Sequence, residues 1–169
     1  MAALTYYTNA ETVRSLLGVE ALEIGDDILG LPHYAFELET ELRELDAGAG
    51  EALTQYAAVA AIAAASRTVV QQRYFDLLQL FAAYSVARKL LGSVDMFAPQ
   101  KIEDGKAAKT RPAAQAERLA TALNAGYQLA KSRLTAALLL LNPSAAVEAA
   151  PTLTTIVNVP IVADPVTGV

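Results

Sequence analysis

Apolar positions recur every three or four residues through most of residues 1–142, the period of an amphipathic helix. Thr8-Asn9-Ala10-Glu11 reads as a capping box, with the Thr8 hydroxyl accepting from the amide near Glu11 and the Glu11 carboxylate reaching back. Val13, Leu16 and Leu17 form a short stripe behind it, and Gly18 fits the residue that closes the helix. Residues 19–30 are acidic and broken by Gly25 and Gly30, which predicts a loop with one turn at Asp26–Leu29. Pro32 suits the first position of a second helix, whose seam is Leu31, Tyr34 or Ala35, Leu38, Leu42 and Leu45, and Gly48-Ala49-Gly50 ends it. Neither proline nor glycine occurs from Glu51 to Leu91. An alanine-rich part, Ala52–Ala65, leads to Ser66, which either caps a fresh helix or lies inside one long helix. The next seam is Val70, Tyr74, Leu77, Phe81, Tyr84 and Leu91, with Val69, Leu78 and Leu80 around the rest, as expected of a helix at a bundle's centre. Gly92 is expected to stop it, and a basic irregular loop to follow from Ser93 to Arg111. Pro112 opens a last long helix with the seam Leu119, Leu123, Gly126 or Tyr127, Ala130, Leu134, Ala137 and Leu141, ended by Asn142-Pro143.

Residues 143–169 change character. Pro151 to Val162 is rich in β-branched residues and contains Pro160, which is extended rather than helical chemistry. A strand needs partners for its amides and carbonyls, and no second strand stands out in residues 1–150. The expected partner is another chain, by strand addition, with a floppy terminus as the ordinary alternative. The segment is apolar and nearly uncharged, unlike most disordered tails, which favours an arm. The expected fold is therefore all-α, a small bundle of four to five helices over residues 1–142, followed by an extended β-rich arm over 143–169.

Hydrophobic residues make up 54% of the chain and mean hydropathy is +0.31, so few charges remain to cover a lone small domain. Either the bundle is very compact, or its apolar faces are buried against copies of itself; patch-size limits favour the second. Cysteine is absent, which excludes disulfides and Cys-based metal sites, and His33 is the sole histidine, which excludes a His-pair motif. Catalytic, metal and cofactor residues are accordingly expected to be none, and no enzyme is expected. The N-terminus lacks the pattern of a signal peptide, and the apolar stretches at Ala57–Ala65 and Leu134–Leu141 fall short of the roughly 20 residues that span a bilayer. A soluble protein made in the cytoplasm, without membrane contact, is the expectation. Residues 1–51 hold eleven acids and two bases, and residues 52–133 eleven bases and five acids, within a net charge of −5. That polarity suits head-to-tail contact between subunits, although each patch taken singly reads as a solvated face.

Three pieces of the sequence resemble the head–tail adaptor (connector) proteins of tailed bacteriophages. One is the run Tyr-Thr-x-x-Glu-x-Val-Arg-x-Leu-Leu-Gly from Tyr7 to Gly18. Another is the central helix at Phe81-Ala82-Ala83-Tyr84 with its loop Phe97-Ala98-Pro99 to Asp104-Gly105-Lys106-Ala107, the most distinctive of the three. The third is the long helix to Leu141, after which the chain leaves the bundle. The resemblance implies a homo-oligomeric ring, with twelve copies as the expectation, docked beneath the portal protein in the virion. Such a ring extends the channel, through which DNA passes without sequence-specific binding, and offers a docking surface to neck or tail-completion proteins. In the family, terminal arms commonly touch the portal or a neighbour. By that resemblance Leu153, Thr155, Ile156, Val157, Val159, Ile161 and Val162 are expected to take that role here, with Phe97, Pro99, Lys101, Asp104 and Lys106 as expected loop contacts.

His33, in the first turn of a helix and without a motif, reads as a solvent-facing or capping side chain. Glu37, Glu39, Glu41 and Glu44 read as a solvated acidic face; Glu37, Glu41 and Glu44 are candidates to face the DNA channel. Asp104-Gly105-Lys106 reads first as a tight turn. Lys101, Lys106, Lys109 and Arg111 form a basic loop without interleaved aromatics, in a chain of pI 4.9. A conduit wall should not grip DNA, because each phosphate contact slows passage. The competing function is a small helical DNA-binding or DNA-packaging protein that uses the basic residues 67–133.

Overall fold

The computed structural model describes residues 3–21, 23–45, 52–97, 101–103, 108–110 and 113–141, with side chains for 3–21, 23–45, 52–91 and 117–141. These are mainly helical. A 3-10 turn at Leu4–Tyr6 precedes α1 (Ala10–Leu17), α2 (Asp26–Leu29), α3 (Pro32–Leu45), α4 (Ala52–Ala60), α5 (Val69–Phe97) and α6 (Ala113–Leu141). Between α5 and α6, β1 (Lys101–Glu103) pairs antiparallel with β2 (Ala108–Thr110), Ile102 standing opposite Lys109.

The cap of α1 falls one residue later than the sequence suggests. The Thr8 amide donates to the Leu4 carbonyl at 3.1 Å, which commits Thr8 to the preceding turn, where it is buried. Asn9 is the first extended residue, and its side chain accepts from the Thr12 amide at 2.7 Å. Gly18 closes α1 as expected. Its φ of +64° is left-handed, its amide and that of Val19 donate to the Arg14 carbonyl, and a side chain there would be strained. Pro32 heads α3, where its missing N–H costs nothing. Tyr34, Ala35, Leu38 and Leu42 are buried as the seam predicts, while Leu31 remains 44% exposed.

Residues 52–97 form two helices. The 3-10 turn at Ala64–Ser66 breaks the run, so Ser66 neither caps α5 nor lies within it. Thr68 is the cap: its Oγ1 accepts from the Gln71 amide at 3.2 Å, and Gln71 Oε1 accepts from the Thr68 amide at 2.9 Å. Arg67 welds the break. Its guanidinium donates to the carbonyls of Val59 and Ile62 at 3.1 Å each and lies 4.0 Å above the Phe75 ring. A cation at the C-terminal end of α4 also opposes the negative end of that helix's dipole.

α5 is the hub, with Tyr74, Leu78, Phe81, Ala82, Val86 and Leu90 almost completely buried. Its buried positions lie on three sides because α1, α3, α4 and α6 all pack on it. Two sequence expectations fail here. Gly92 does not stop α5, which runs on to Phe97; one interior glycine costs only about 1 kcal/mol, too little to end a helix by itself. The segment expected to be an irregular loop contains the β1–β2 hairpin. A helix of this length spans about 43 Å, and a connection that doubles back as a hairpin cannot return the chain to its start. α6 therefore runs antiparallel to α5, and its predicted seam is the buried one: Leu123, Tyr127, Ala130, Leu134 and Ala137.

Candidate functional site

The densest polar constellation lies where α3 crosses α5 and α6, and Glu41 is its centre. Successive turns of α3 carry Glu37 and Glu41 on one side. Glu41 Oε1 stands 2.9 Å from Lys89 Nζ and 3.5 Å from Arg88 Nη2, and Glu37 Oε2 stands 2.9 Å from the same Lys89 Nζ. Glu41 Oε2 accepts from Ser85 Oγ at 2.7 Å and from Tyr127 OH at 3.4 Å. The Arg88 guanidinium lies 3.9 Å above the Tyr127 ring. Burial, and then the negative charge of Glu41, push the Tyr127 phenol above its ordinary pKa. One carboxylate thus binds groups from two other helices, and its side chain is only 17% exposed.

This arrangement corrects the reading of α3 as a solvated acidic face at Glu41, which is largely buried. Glu41 is bound inside the subunit, where Lys89, Arg88, Ser85 and Tyr127 all turn donors toward it. Glu37 is half-exposed and shares Lys89, while Glu44 is exposed. The acidic N-terminal third and the basic middle of the chain therefore meet in part within one subunit, through Glu37, Glu41, Arg88 and Lys89. The sequence held a signal for this: Arg88-Lys89 is a pair of cations inside the central helix, where burial favours acids opposite.

A second polar set holds the N-terminus. Tyr7 OH donates to Glu39 Oε1 at 3.0 Å, and burial, followed by that carboxylate, raises its pKa. Tyr56 OH donates to the Tyr6 carbonyl at 2.7 Å, and the Tyr56 ring stacks on Phe75 with centroids 5.1 Å apart. Arg14 donates to the Ile24 carbonyl at 2.8 Å and pairs with Asp26, folding the acidic 19–30 segment onto α1. His33 is exposed, with its ring centroid 3.8 Å from that of Tyr34.

Of the other candidate residues, Phe97 ends α5 and Lys101 begins β1. Pro99, Asp104 and Lys106 lie outside the described residues, as do Leu153, Thr155, Ile156, Val157, Val159, Ile161 and Val162. Of the α3 acids, the fold brings Glu37 and Glu41 together on Lys89. Among the described residues no group of three or more His, Cys, Asp or Glu could hold a metal ion, and no helix is long and apolar enough to cross a membrane. An open groove of about 600 Å³ runs along α5 past Arg67, Val69, Gln72, Arg73, Asp76 and Leu77.

What remains unsatisfied is apolar. Phe36 is 53% exposed on α3, and Leu129 and Leu140 are 51% and 62% exposed on α6. The sequence reading named none of these three residues. Comparison of the chain with protein-family models, curated proteins and solved structures finds no match.

Proposed function

We propose that this chain is a head–tail adaptor of a tailed bacteriophage. It is a subunit of a ring beneath the portal that prolongs the DNA channel and gives neck or tail-completion proteins a surface to dock on. The reading rests on the sequence resemblance in Tyr7–Gly18 and Phe81–Ala107, and one observation carries it physically. The outer faces of α3 and α6 keep Phe36, Leu129 and Leu140 half-exposed or more on a bundle whose core is already complete. Apolar area of that kind stabilises an assembly by about 25 cal/mol per Å² once covered, and nothing in the described subunit covers it. Residues 151–169 are the assigned arm to the portal or a neighbour.

DNA packaging through the basic 67–133 region is the weaker reading. Arg67, Arg88 and Lys89 are spent inside the subunit on helix carbonyls, an aromatic ring and two glutamates, so they are poor phosphate ligands. Light scattering and negative-stain imaging of the full chain, alone and mixed with the portal of the same phage, test the proposal. Rings are expected. Tight, salt-dependent DNA binding by a monomer or dimer, with no ring in either condition, would sink it. Deleting residues 151–169 is expected to leave helicity unchanged and to abolish portal attachment; loss of the fold would place that segment in the core instead.

A further inference from the structure

We propose that in the free chain residues 151–162 lie extended along the α5 groove of the same chain, between Val69 and Leu80. The Tyr84 ring lies against Gly126, which sets these two residues level with each other in the α5–α6 hairpin. From there Val69 is fifteen residues back along α5, and Leu141 is fifteen residues on along α6. Both helices advance by about 1.5 Å per residue, so antiparallel α6 delivers the chain beside the first turn of α5. The groove opens at that end. Its lining residues on α5 are Val69, Gln72, Arg73, Asp76, Leu77 and Leu80, spaced three and four apart on one face, and its walls are mainly apolar. Val69, at the end of the groove nearest to where α6 stops, is 85% exposed.

Nine residues, Asn142 to Ala150, separate α6 from this segment and extend to about 30 Å, whereas Val69 to Leu80 rises only about 16 Å along the helix. The whole groove is therefore within reach. In an extended segment alternate residues share a side, so Leu153, Thr155, Val157, Val159 and Ile161 make one largely apolar face. Thr152, Thr154 and Asn158 fall on the other, which suits a segment half in an open groove and half in water. Residues 151–162 carry no charged side chain, so docking them buries no charge of their own. The walls are set in advance. Arg67 is held by the Val59 and Ile62 carbonyls, and Gln72 Nε2 donates to Asp76 Oδ1 at 2.7 Å, so little side-chain freedom is lost on docking. Arg73 is exposed and, among the described residues, in no ion pair, which leaves its donors for backbone carbonyls of the incoming segment. The tether holds the segment at an effective concentration of about millimolar, which favours the chain's own groove over that of another copy. An arm stored in this way must leave the groove before it reaches a portal or a neighbour, so the groove competes with the attachment assigned to residues 151–169 above.

The chain has neither cysteine nor tryptophan, so each can be introduced as a sole probe. In the full chain Val157→Cys is paired in turn with Val69→Cys, at the groove, and with Leu140→Cys, 62% exposed on α6 one residue before that helix ends. With a short bis-maleimide and dilute protein, the Val69 pair is expected to close within one chain about tenfold faster than the Leu140 pair, as a docked arm requires. A loose arm reaches both positions, so equal rates overturn the proposal; products that join two chains overturn it as well. Val157→Trp alone is expected to give blue-shifted emission shielded from iodide. Adding Val69→Glu, at a position too exposed to matter to the core, should return that emission to the water-exposed value with an unchanged circular-dichroism spectrum. Water-exposed emission from Val157→Trp alone overturns the proposal. Rings are read separately by negative stain, so rings with a loose arm remove this inference and leave the adaptor reading standing.

Discussion

Gly126 of α6 lies directly beneath the Tyr84 ring of α5, so close that a methyl group built on Gly126 overlaps Tyr84 Cε1 and Cζ. The Tyr84 ring occupies the space that a side chain at position 126 would fill. Phe81 and Arg88, one turn to either side of Tyr84, both reach Tyr127, with Phe81 and Tyr127 ring centroids 5.2 Å apart. The register of the α5–α6 hairpin is therefore fixed by one glycine and the aromatic that fills its place.

Gly126→Ala is expected to destabilise the protein by about 1–3 kcal/mol, because the ring must move off its site. In a Tyr84→Ala background the same substitution should instead stabilise by up to about 1 kcal/mol, since alanine favours the helix and the clash is gone. Urea unfolding of the four proteins in this cycle measures the change of sign, and additive effects would show that the ring and Gly126 do not meet.

Glu41→Ala should cost roughly 2–3 kcal/mol, because Lys89, Arg88 and Ser85 lose a shared acceptor at a site that is largely shielded from water. Glu44→Ala, on the exposed part of the same helix, should stay within about 0.5 kcal/mol. Equal effects at the two positions, read from denaturation midpoints, would contradict the internal role given to Glu41.

Arg67→Ala removes the donors that hold the Val59 and Ile62 carbonyls and the cation above Phe75. A loss of about 1–3 kcal/mol is expected. Arg67→Lys should recover only part of it, because an ammonium cannot span several carbonyls while lying flat on a ring. Hydrogen exchange should quicken first in Ala52–Ala60, the helix that Arg67 caps.

Alkaline pH should weaken the fold through Tyr7. Its pKa is raised in the folded state, chiefly by burial and then by the hydrogen bond to Glu39, so the native state holds its proton more tightly than the unfolded chain. The associated stability is complete below the ordinary tyrosine pKa of about 10 and is lost as pH rises above it. Tyr7→Phe should lower stability at neutral pH by about 1 kcal/mol, through the lost hydrogen bond, and flatten the decline above pH 10. An unchanged slope between parent and variant would assign the alkaline loss to another group.

Helix periodicity, the Gly18 close, the Pro32 start and the buried seam of α6 were legible from residue order, because each depends on contacts within a few residues or on one face of one helix. The cap at Thr68 also has a local signal, since Thr68-Val69-Val70-Gln71 has the spacing of a capping box, with Ser66 two residues earlier as a competing cap by residue type. The end of α5 could not be read from Gly92, whose local cost is smaller than the packing along a long hairpin.

Local sequence determined where the chain coils and which residues prefer to be dry, because propensity and period are properties of short segments. Only the tertiary structure decided which charges are used inside the subunit. Glu41 and Lys89 are 48 positions apart, and no pattern in either helix says that they will meet at 2.9 Å. The same folding left Phe36, Leu129 and Leu140 outside the core that α5 organises.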